Sequence, residues 1–293
     1  MSSFYLIKGK ELMIELKNSS VCALVSETGA ELRRLTVDGV DQLWQPDEKI
    51  WNGVSPVLFP VCSGLPGDMY TLGGKEYRMP KHGFARQLDF EVVKQGSRFV
   101  TLRLTDTEET RKYYPWHFVF TVTYSLHGKR LDVTYTVENK SETTMYFSEG
   151  SHESYACPEG IEEYDVIFEK EETVGAKIIE GVRLTGEERP LLHKSRVLPL
   201  YEKYFTEDAL IFTDLKSRAA TLRHRTTGRS VTVEFPGCDY FLIWTVPGAK
   251  YVCLEPWCGI CSTKGDGIAI EDKEGMIPLA PRAVYERTHT IHY

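Results

Sequence analysis

Phe118-Val119-Phe120-Thr121-Val122-Thr123-Tyr124-Ser125-Leu126, then His127-Gly128-Lys129, then Arg130-Leu131-Asp132-Val133-Thr134-Tyr135-Thr136-Val137 is the stretch that decides the fold class. Apolar and polar residues alternate along both runs, β-branched and aromatic side chains dominate them, and a short Gly-containing loop joins them. A period of two is the signature of a pleated strand, so the stretch predicts a long antiparallel hairpin. The same pattern spreads outward along the chain. Residues 13–17 and 21–25 flank Ser19-Ser20, residues 32–37 and 40–44 flank Asp38-Gly39, and residues 70–72 and 75–78 flank Gly73-Gly74. Asp-Gly and Gly-Gly suit two-residue hairpin turns because both positions tolerate positive φ. Residues 219–224 and 230–235 flank Thr226-Thr227-Gly228, and the apolar runs 240–244 and 251–254 follow. Gly and Pro interrupt most windows long enough for a helical period of about 3.6 residues, and no persuasive one survives. The expectation is an all-β protein built as a large twisted antiparallel β-sandwich.

Size and composition fit that reading. The chain has 293 residues, 42% hydrophobic and 26% charged, which excludes disordered, collagen-like and low-complexity classes. Neither a linker, a composition shift nor an internal repeat divides it, so residues 1–293 are read as a single domain. With 35 Lys and Arg against 42 Asp and Glu the net charge is −7, which disfavours nucleic acid and anionic membrane surfaces as partners. Met1-Ser2-Ser3-Phe4-Tyr5 lacks the basic and apolar runs of a leader, and no stretch approaches the roughly 18 apolar residues of a membrane span. A soluble cytoplasmic protein, monomer or homodimer, is expected. The acidic stretch from Glu159 to Glu172 reads as a solvated hairpin or loop. Seven scattered cysteines, Cys22, Cys62, Cys157, Cys238, Cys253, Cys258 and Cys261, read as reduced, packed thiols. Cys258-Gly-Ile-Cys261 has ligand spacing but no second pair to complete a zinc site.

Three polar clusters interrupt the strand pattern. Pro80-Lys81-His82-Gly83-Phe84-Ala85-Arg86 places a His and an Arg around a Gly that permits a tight turn. Ser148-Glu149-Gly150-Ser151-His152-Glu153-Ser154-Tyr155 sets a second His among small residues. Cys253-Leu254-Glu255-Pro256-Trp257 puts a carboxylate at the end of an apolar strand, with Pro256 forcing Glu255 into an extended conformation. Each cluster alone is as compatible with a satisfied core histidine or a solvated carboxylate as with a site. Together, two imidazoles and a carboxylate suit general acid/base chemistry on a neutral polyol.

In order, Trp51-x-x-x-Ser55-Pro56-Val57-Leu58-Phe59-Pro60, His82-Gly83-Phe84-Ala85-Arg86, His152 after a Gly, and Cys253-Leu254-Glu255-Pro256-Trp257-x-Gly259 resemble the aldose 1-epimerase (galactose mutarotase-like) family, in particular its LacX-like branch. The resemblance runs from about Ile14 to Thr288. It implies a sandwich of many antiparallel strands with a sugar cleft on one face, and interconversion of the α and β anomers of a free hexose. Carried over by position, Glu255 is the expected general base toward the anomeric hydroxyl and His152 the expected general acid toward the ring oxygen. His82, Arg86 and Asp208 are the expected sugar-binding groups, with Asp214 as the alternative aspartate. Trp244 and Trp257 flank the same region and offer indole faces for a pyranose, Trp257 being the better candidate for an ordinary core aromatic. A charged pair is expected at rest, with Glu255 ionised and His152 protonated. The substrate-side partner is a small aldose, and neither metal nor cofactor is expected.

The chain departs from the family pattern at two places. Cys62-Ser63-Gly64-Leu65 stands where many relatives carry an Arg, and Glu153-Ser154-Tyr155-Ala156 replaces a Pro-Ala-Phe-Asn continuation. Rival readings are a hexose-6-phosphate mutarotase using Lys81 and Arg86, a sugar-binding sandwich without turnover, and a metalloenzyme using His82, His152 and Glu255 as a facial triad.

Overall fold

Alternation becomes strands over most of the stretches that show it. In the computed structural model, which describes residues 13–293, Phe118–His127 and Arg130–Asn139 pair antiparallel from Arg130↔His127 to Asn139↔Phe118. Phe118, Phe120, Val122, Tyr124 and Leu126 are buried on one strand, and Leu131, Val133, Tyr135 and Val137 on the other. The loop is one residue tighter than expected. With Gly128 at φ 61°, Gly128-Lys129 alone makes the turn and His127 joins the ladder. The opening Met1–Tyr5 segment lies outside the described residues.

This hairpin is part of a fourteen-stranded sheet. From one edge the order is Glu153–Ala156, Tyr251–Trp257, Tyr240–Trp244, Leu210–Phe212, Tyr164–Glu180, Ala219–His224, Ser230–Glu234, Val284–His292, Arg130–Asn139, Phe118–His127, Phe99–Thr105 and Glu91–Gly96. Arg183–Pro199 returns alongside Tyr164–Glu180 and pairs in parallel with the short Ser262–Thr263. A four-stranded antiparallel sheet, Met13–Lys17, Val21–Ser26, Leu32–Val37 and Val40–Asp41, the hairpin of Met69–Leu72 and Lys75–Arg78, and the long-range pair Met145–Phe147 with Ile277–Leu279 complete the β structure. Among the described residues the helical segments are five 3-10 turns of three residues each, and no helix is long and apolar enough to cross a membrane. The expected all-β antiparallel sandwich is the observed fold.

Three local readings change. The strand after Asp38-Gly39 stops at Asp41 rather than Trp44, because the chain leaves its own sheet. Leu43 bridges to Tyr155, and the Trp44 amide donates to the Ser154 carbonyl at 2.9 Å. Glu255 does not end a strand but lies within Tyr251–Trp257, between two neighbours. The acidic stretch is only partly solvated. Glu162, Glu163, Glu169 and Glu171 are exposed, whereas Glu172 is fully buried, accepting hydrogen bonds from the Ser217 amide at 2.8 Å and hydroxyl at 2.6 Å. A buried carboxylate needs such donors, and Ser217, 45 residues away, supplies them.

The seven cysteines are free thiols, six of them buried. One large apolar core fills the sandwich. Two satellite clusters sit beside it, one with Leu58, Leu184, Ile211, Leu242, Trp257 and Ile260, the other with Tyr251 and Cys253 under Trp44, Trp51 and Trp244. The candidate site opens between these two.

Candidate active site

Strand register brings His152 and Glu255 together. Glu153, the first residue of its strand, pairs with Leu254, so His152 just before it stands across from Glu255. On the other side Leu242 pairs with Glu255 and Trp244 with Cys253. Cross-strand partners and alternate residues share a face, so His152, Leu242, Trp244, Cys253, Glu255 and Trp257 point to one side. A cavity of about 300 Å³ opens there. Its walls include all six of the residues anticipated from the sequence: His82, Arg86, His152, Asp208, Trp244 and Glu255.

His152 Nε2 lies 3.4 Å from Glu255 Oε2, with the two side chains 12% and 2% exposed. Burial lowers the imidazole to a pKa of about 3. Burial also pushes the Glu255 carboxyl well above the usual carboxylate range, and the nearby Glu153 and Asp208 carboxylates add to the effect. The charged resting pair expected from the sequence is therefore corrected to a neutral one. Both shifts favour the neutral form of each group, a protonated Glu255 facing an unprotonated imidazole, because burial disfavours either charge. Such a pair can pass its proton in either direction through a hydroxyl-bearing molecule placed against it.

His82 is held by its backbone. It adopts φ 65° and is followed by Gly83 at φ 71°. A Cβ on Gly83 would come within 2.1 Å of the Phe59 carbonyl oxygen, so only glycine allows this close approach. Phe59 in turn stacks on Phe120 of the long hairpin, with ring centroids 4.3 Å apart. Nδ1 of His82 accepts a hydrogen bond from the Ser63 amide at 3.1 Å. That leaves Nε2 as the N–H donor. Burial, then His152, Lys81 and Arg86, holds this imidazole well below its ordinary pKa, so it offers the site a neutral donor. Its ring lies edge-on to Trp257 at 5.5 Å and to His152 at 6.0 Å.

Of the two candidate aspartates, Asp208 lines the cavity. Asp214 is exposed, takes the Thr213 hydroxyl at 2.6 Å and pairs with Lys177 at 3.4 Å. Arg86 donates to the Lys81 carbonyl at 3.0 Å, while its Nε is buried without a partner. Trp244 meets His152 edge-on at 5.4 Å. Trp257 also borders the cavity but is 3% exposed, with its indole N–H on the Ser151 carbonyl at 3.1 Å, as befits a core aromatic.

Other wall residues were not singled out as site groups. Trp51 stacks on the His152 ring at 5.2 Å and 30°. It stands in the motif Trp51-x-x-x-Ser55, where it had served only as a landmark. Lys81, weighed only as a phosphate ligand, lines the wall, as do Ser63 and the turn residues Gly181 and Val182 between strands Tyr164–Glu180 and Arg183–Pro199. A Cβ on Gly64 would come within 2.8 Å of Val182 Cγ1. The turn thus occupies the space next to Gly64, and no local sequence signal reports that contact.

Fold and site together define the galactose mutarotase-like class of β-sandwich. The chain belongs to the aldose 1-epimerase family, whose sequence profile, described as Aldose 1-epimerase, matches residues 13–291. It is 30% identical over 295 residues to the plasmid form of protein LacX from Lactococcus lactis subsp. lactis, covering 96% of this chain and 99% of that protein. It is similar in structure to a galactose mutarotase related enzyme from Lactobacillus acidophilus, with a TM-score of 0.92, 30% identity, and 96% and 97% of the two chains covered. It is likewise similar to a galactose mutarotase-like protein from Lactobacillus casei, with a TM-score of 0.90, 29% identity, and 96% and 99% covered.

Proposed function

We propose that the protein is a mutarotase that interconverts the anomers of a small aldose by opening and re-closing its ring. The observation that carries this reading is the buried pair His152 and Glu255, 3.4 Å apart on the wall of a sugar-sized cavity. In ring opening, Glu255 as carboxylate takes the proton of the anomeric hydroxyl, the C1–O5 bond breaks as the C1 carbonyl forms, and O5 takes the proton of His152. Rotation about C1–C2 presents the other face of the carbonyl. In closure, His152 takes the O5 proton, O5 attacks C1, and Glu255 returns a proton to the carbonyl oxygen. The resting pair, with its proton on Glu255, is already in the state for closure. Opening requires the proton on His152, a shift that hydroxyls of the bound sugar favour by solvating the charges that burial disfavours. The His82 N–H and Arg86 orient ring hydroxyls, and Trp51 and Trp244 present faces for C–H groups. Hemiacetals open slowly in water, so an acid and a base worth roughly 10²–10⁴-fold each suffice.

The pair predicts the pH profile. As pH falls toward about 3, His152 takes up a second proton, no base remains, and the rate declines. As pH rises through the elevated value of Glu255, the pair loses its only proton and no acid remains. kcat/KM, which reports the free enzyme, is expected to stay level through pH 6.5, where a solvated imidazole would give an acid limb. An acid limb centred near the ordinary imidazole value would show that His152 is hydrated at rest.

A second reading is favoured by Lys81 and Arg86, two cations on the wall of one cavity, which is an arrangement suited to a phosphate. The net charge of −7 opposes it at long range. Polarimetry on freshly dissolved α-anomers separates the two. Glucose or galactose is expected to be accelerated at a kcat/KM at least equal to that of glucose 6-phosphate. A tenfold or greater preference for the phosphate, lost in Lys81→Ala, would assign the second reading. Binding of sugars with no acceleration over buffer would make the protein a non-catalytic sandwich.

A further inference from the structure

Cys253 lies two residues before Glu255 on the same strand and therefore on the same face, beneath the acid/base pair. It is fully buried under Trp44, Trp51 and Trp244. Donor atoms of His152, Cys253 and Glu255 all lie within 4.8 Å of one another. This is a different set from the His82, His152 and Glu255 triad weighed from the sequence, because His82 Nδ1 is already engaged by the Ser63 amide.

Nitrogen, sulfur and carboxylate oxygen together make a donor set suited to zinc. The nitrogen–oxygen spacing also fits. Zinc bonds to nitrogen and oxygen of about 2.0–2.1 Å at a tetrahedral angle imply a ligand-to-ligand edge of about 3.4 Å. His152 Nε2 and Glu255 Oε2 are 3.4 Å apart. Glu255 Oε2 is buried with no hydrogen-bond partner, and so is His152 Nδ1. Two of the three donor residues, His152 and Glu255, line the cavity, which gives an ion its route in. Two other thiols near the cavity are occupied, Cys261 by the Ser63 hydroxyl at 3.0 Å and Cys258 by the Gly237 carbonyl at 3.3 Å.

We propose that His152, Cys253 and Glu255 form a three-donor site for a zinc-class divalent cation, entered through the sugar cavity, and that filling it stops acid/base turnover. The Cys253 thiol proton and the Glu255 carboxyl proton both leave to solvent as the sulfur–metal and oxygen–metal bonds form, with no change of oxidation state. The ion then takes the Glu255 oxygen and the His152 nitrogen that the reaction needs for protons. Only the inhibitory half rests on the mutarotase reading, since the site itself is defined by donor geometry.

Cobalt(II) replaces zinc as a spectroscopic probe of the full-length protein. One equivalent is expected to produce sulfur-to-cobalt charge-transfer absorption, and Cys253→Ser and His152→Asn are each expected to abolish it. Zinc is expected to inhibit anomer interconversion in the unmodified enzyme. In Cys253→Ser the half-inhibiting concentration, measured against that variant's own metal-free rate, should rise at least tenfold. If Cys253→Ser fails to fold, cobalt spectra and zinc calorimetry on His152→Asn carry the test. A charge-transfer band that persists in either variant, or is absent from the unmodified protein, would overturn the site. Stoichiometric zinc with undiminished turnover would overturn the inhibition. A cobalt band that depends on Cys253 in a protein that accelerates no sugar would sink the mutarotase reading and leave the metal site standing.

Discussion

Glu255→Gln is expected to lower kcat for anomer interconversion by at least about a hundredfold while leaving the fold intact. Gln has the shape of the protonated carboxyl that burial already favours at this position, so it fills the same space without creating a buried charge. It cannot accept the proton of an anomeric hydroxyl, and that is the function it removes. Loss of activity and retention of stability should therefore part company in this variant. Its melting temperature should equal or exceed that of the parent, because no desolvated carboxylate is left to ionise as pH rises. His152→Ala should cost kcat at least as much, through loss of the group that meets the ring oxygen. Near-parental polarimetric rates in both variants would remove the acid/base mechanism.

Arg287→Met is expected to destabilise the protein by roughly 3–5 kcal/mol and to lower its melting temperature by about 10 °C at pH 7. Arg287 is 5% exposed and Glu149 fully buried. Both ends of the guanidinium fork meet the two oxygens of the Glu149 carboxylate, which also accepts from the Tyr285 hydroxyl at 3.0 Å. Removing the cation strands a carboxylate with no water to replace its partner. The double variant Glu149→Leu, Arg287→Met should recover most of the loss, since replacing a whole buried pair by apolar groups is far cheaper than breaking it. A single variant that melts with the parent, measured by calorimetry, would show that the Arg287–Glu149 contact does not support the fold. The segment at stake carries the site. The Glu149 carbonyl accepts the Cys258 amide at 2.8 Å, and Gly150 bridges to both Leu58 and Trp257 just ahead of His152.

Much of the sheet was legible because strand alternation is local. The runs 118–126 and 130–137 show their buried faces without reference to anything distant, and the turn residues Asp38-Gly39 and Gly73-Gly74 adopt the positive φ values their types favour. What depends on distant contacts was not legible in this way. Glu172 looks solvated among its acidic neighbours until Ser217 arrives to satisfy it. The strand expected to reach Trp44 ends early because its continuation is claimed by Tyr155. His152 and Glu255 are about a hundred positions apart, and alternation says nothing of their meeting. Only the ordered motifs pointed to it, and the register of two edge-side strands realises it. Their protonation was misread for a related reason, since the water excluded from each group is excluded by residues from many segments.

Glu255 stands within a paired strand and His152 directly precedes the strand beside it, whereas much of the cavity wall is contributed by Trp51, Lys81, Arg86 and Asp208, and by the Gly181-Val182 turn, all outside regular strands. The gap between His152 and Glu255 is consequently a property of the backbone ladder, which cannot be altered by one residue without turning a side chain to the opposite face. Loops carry no such restriction and accept insertions or exchanges at modest cost. Proton transfer and substrate choice are thus mounted on separately adjustable parts. Lengthening or recharging the rim is a route by which this scaffold can be redirected to new sugars while its chemical step stays as it is.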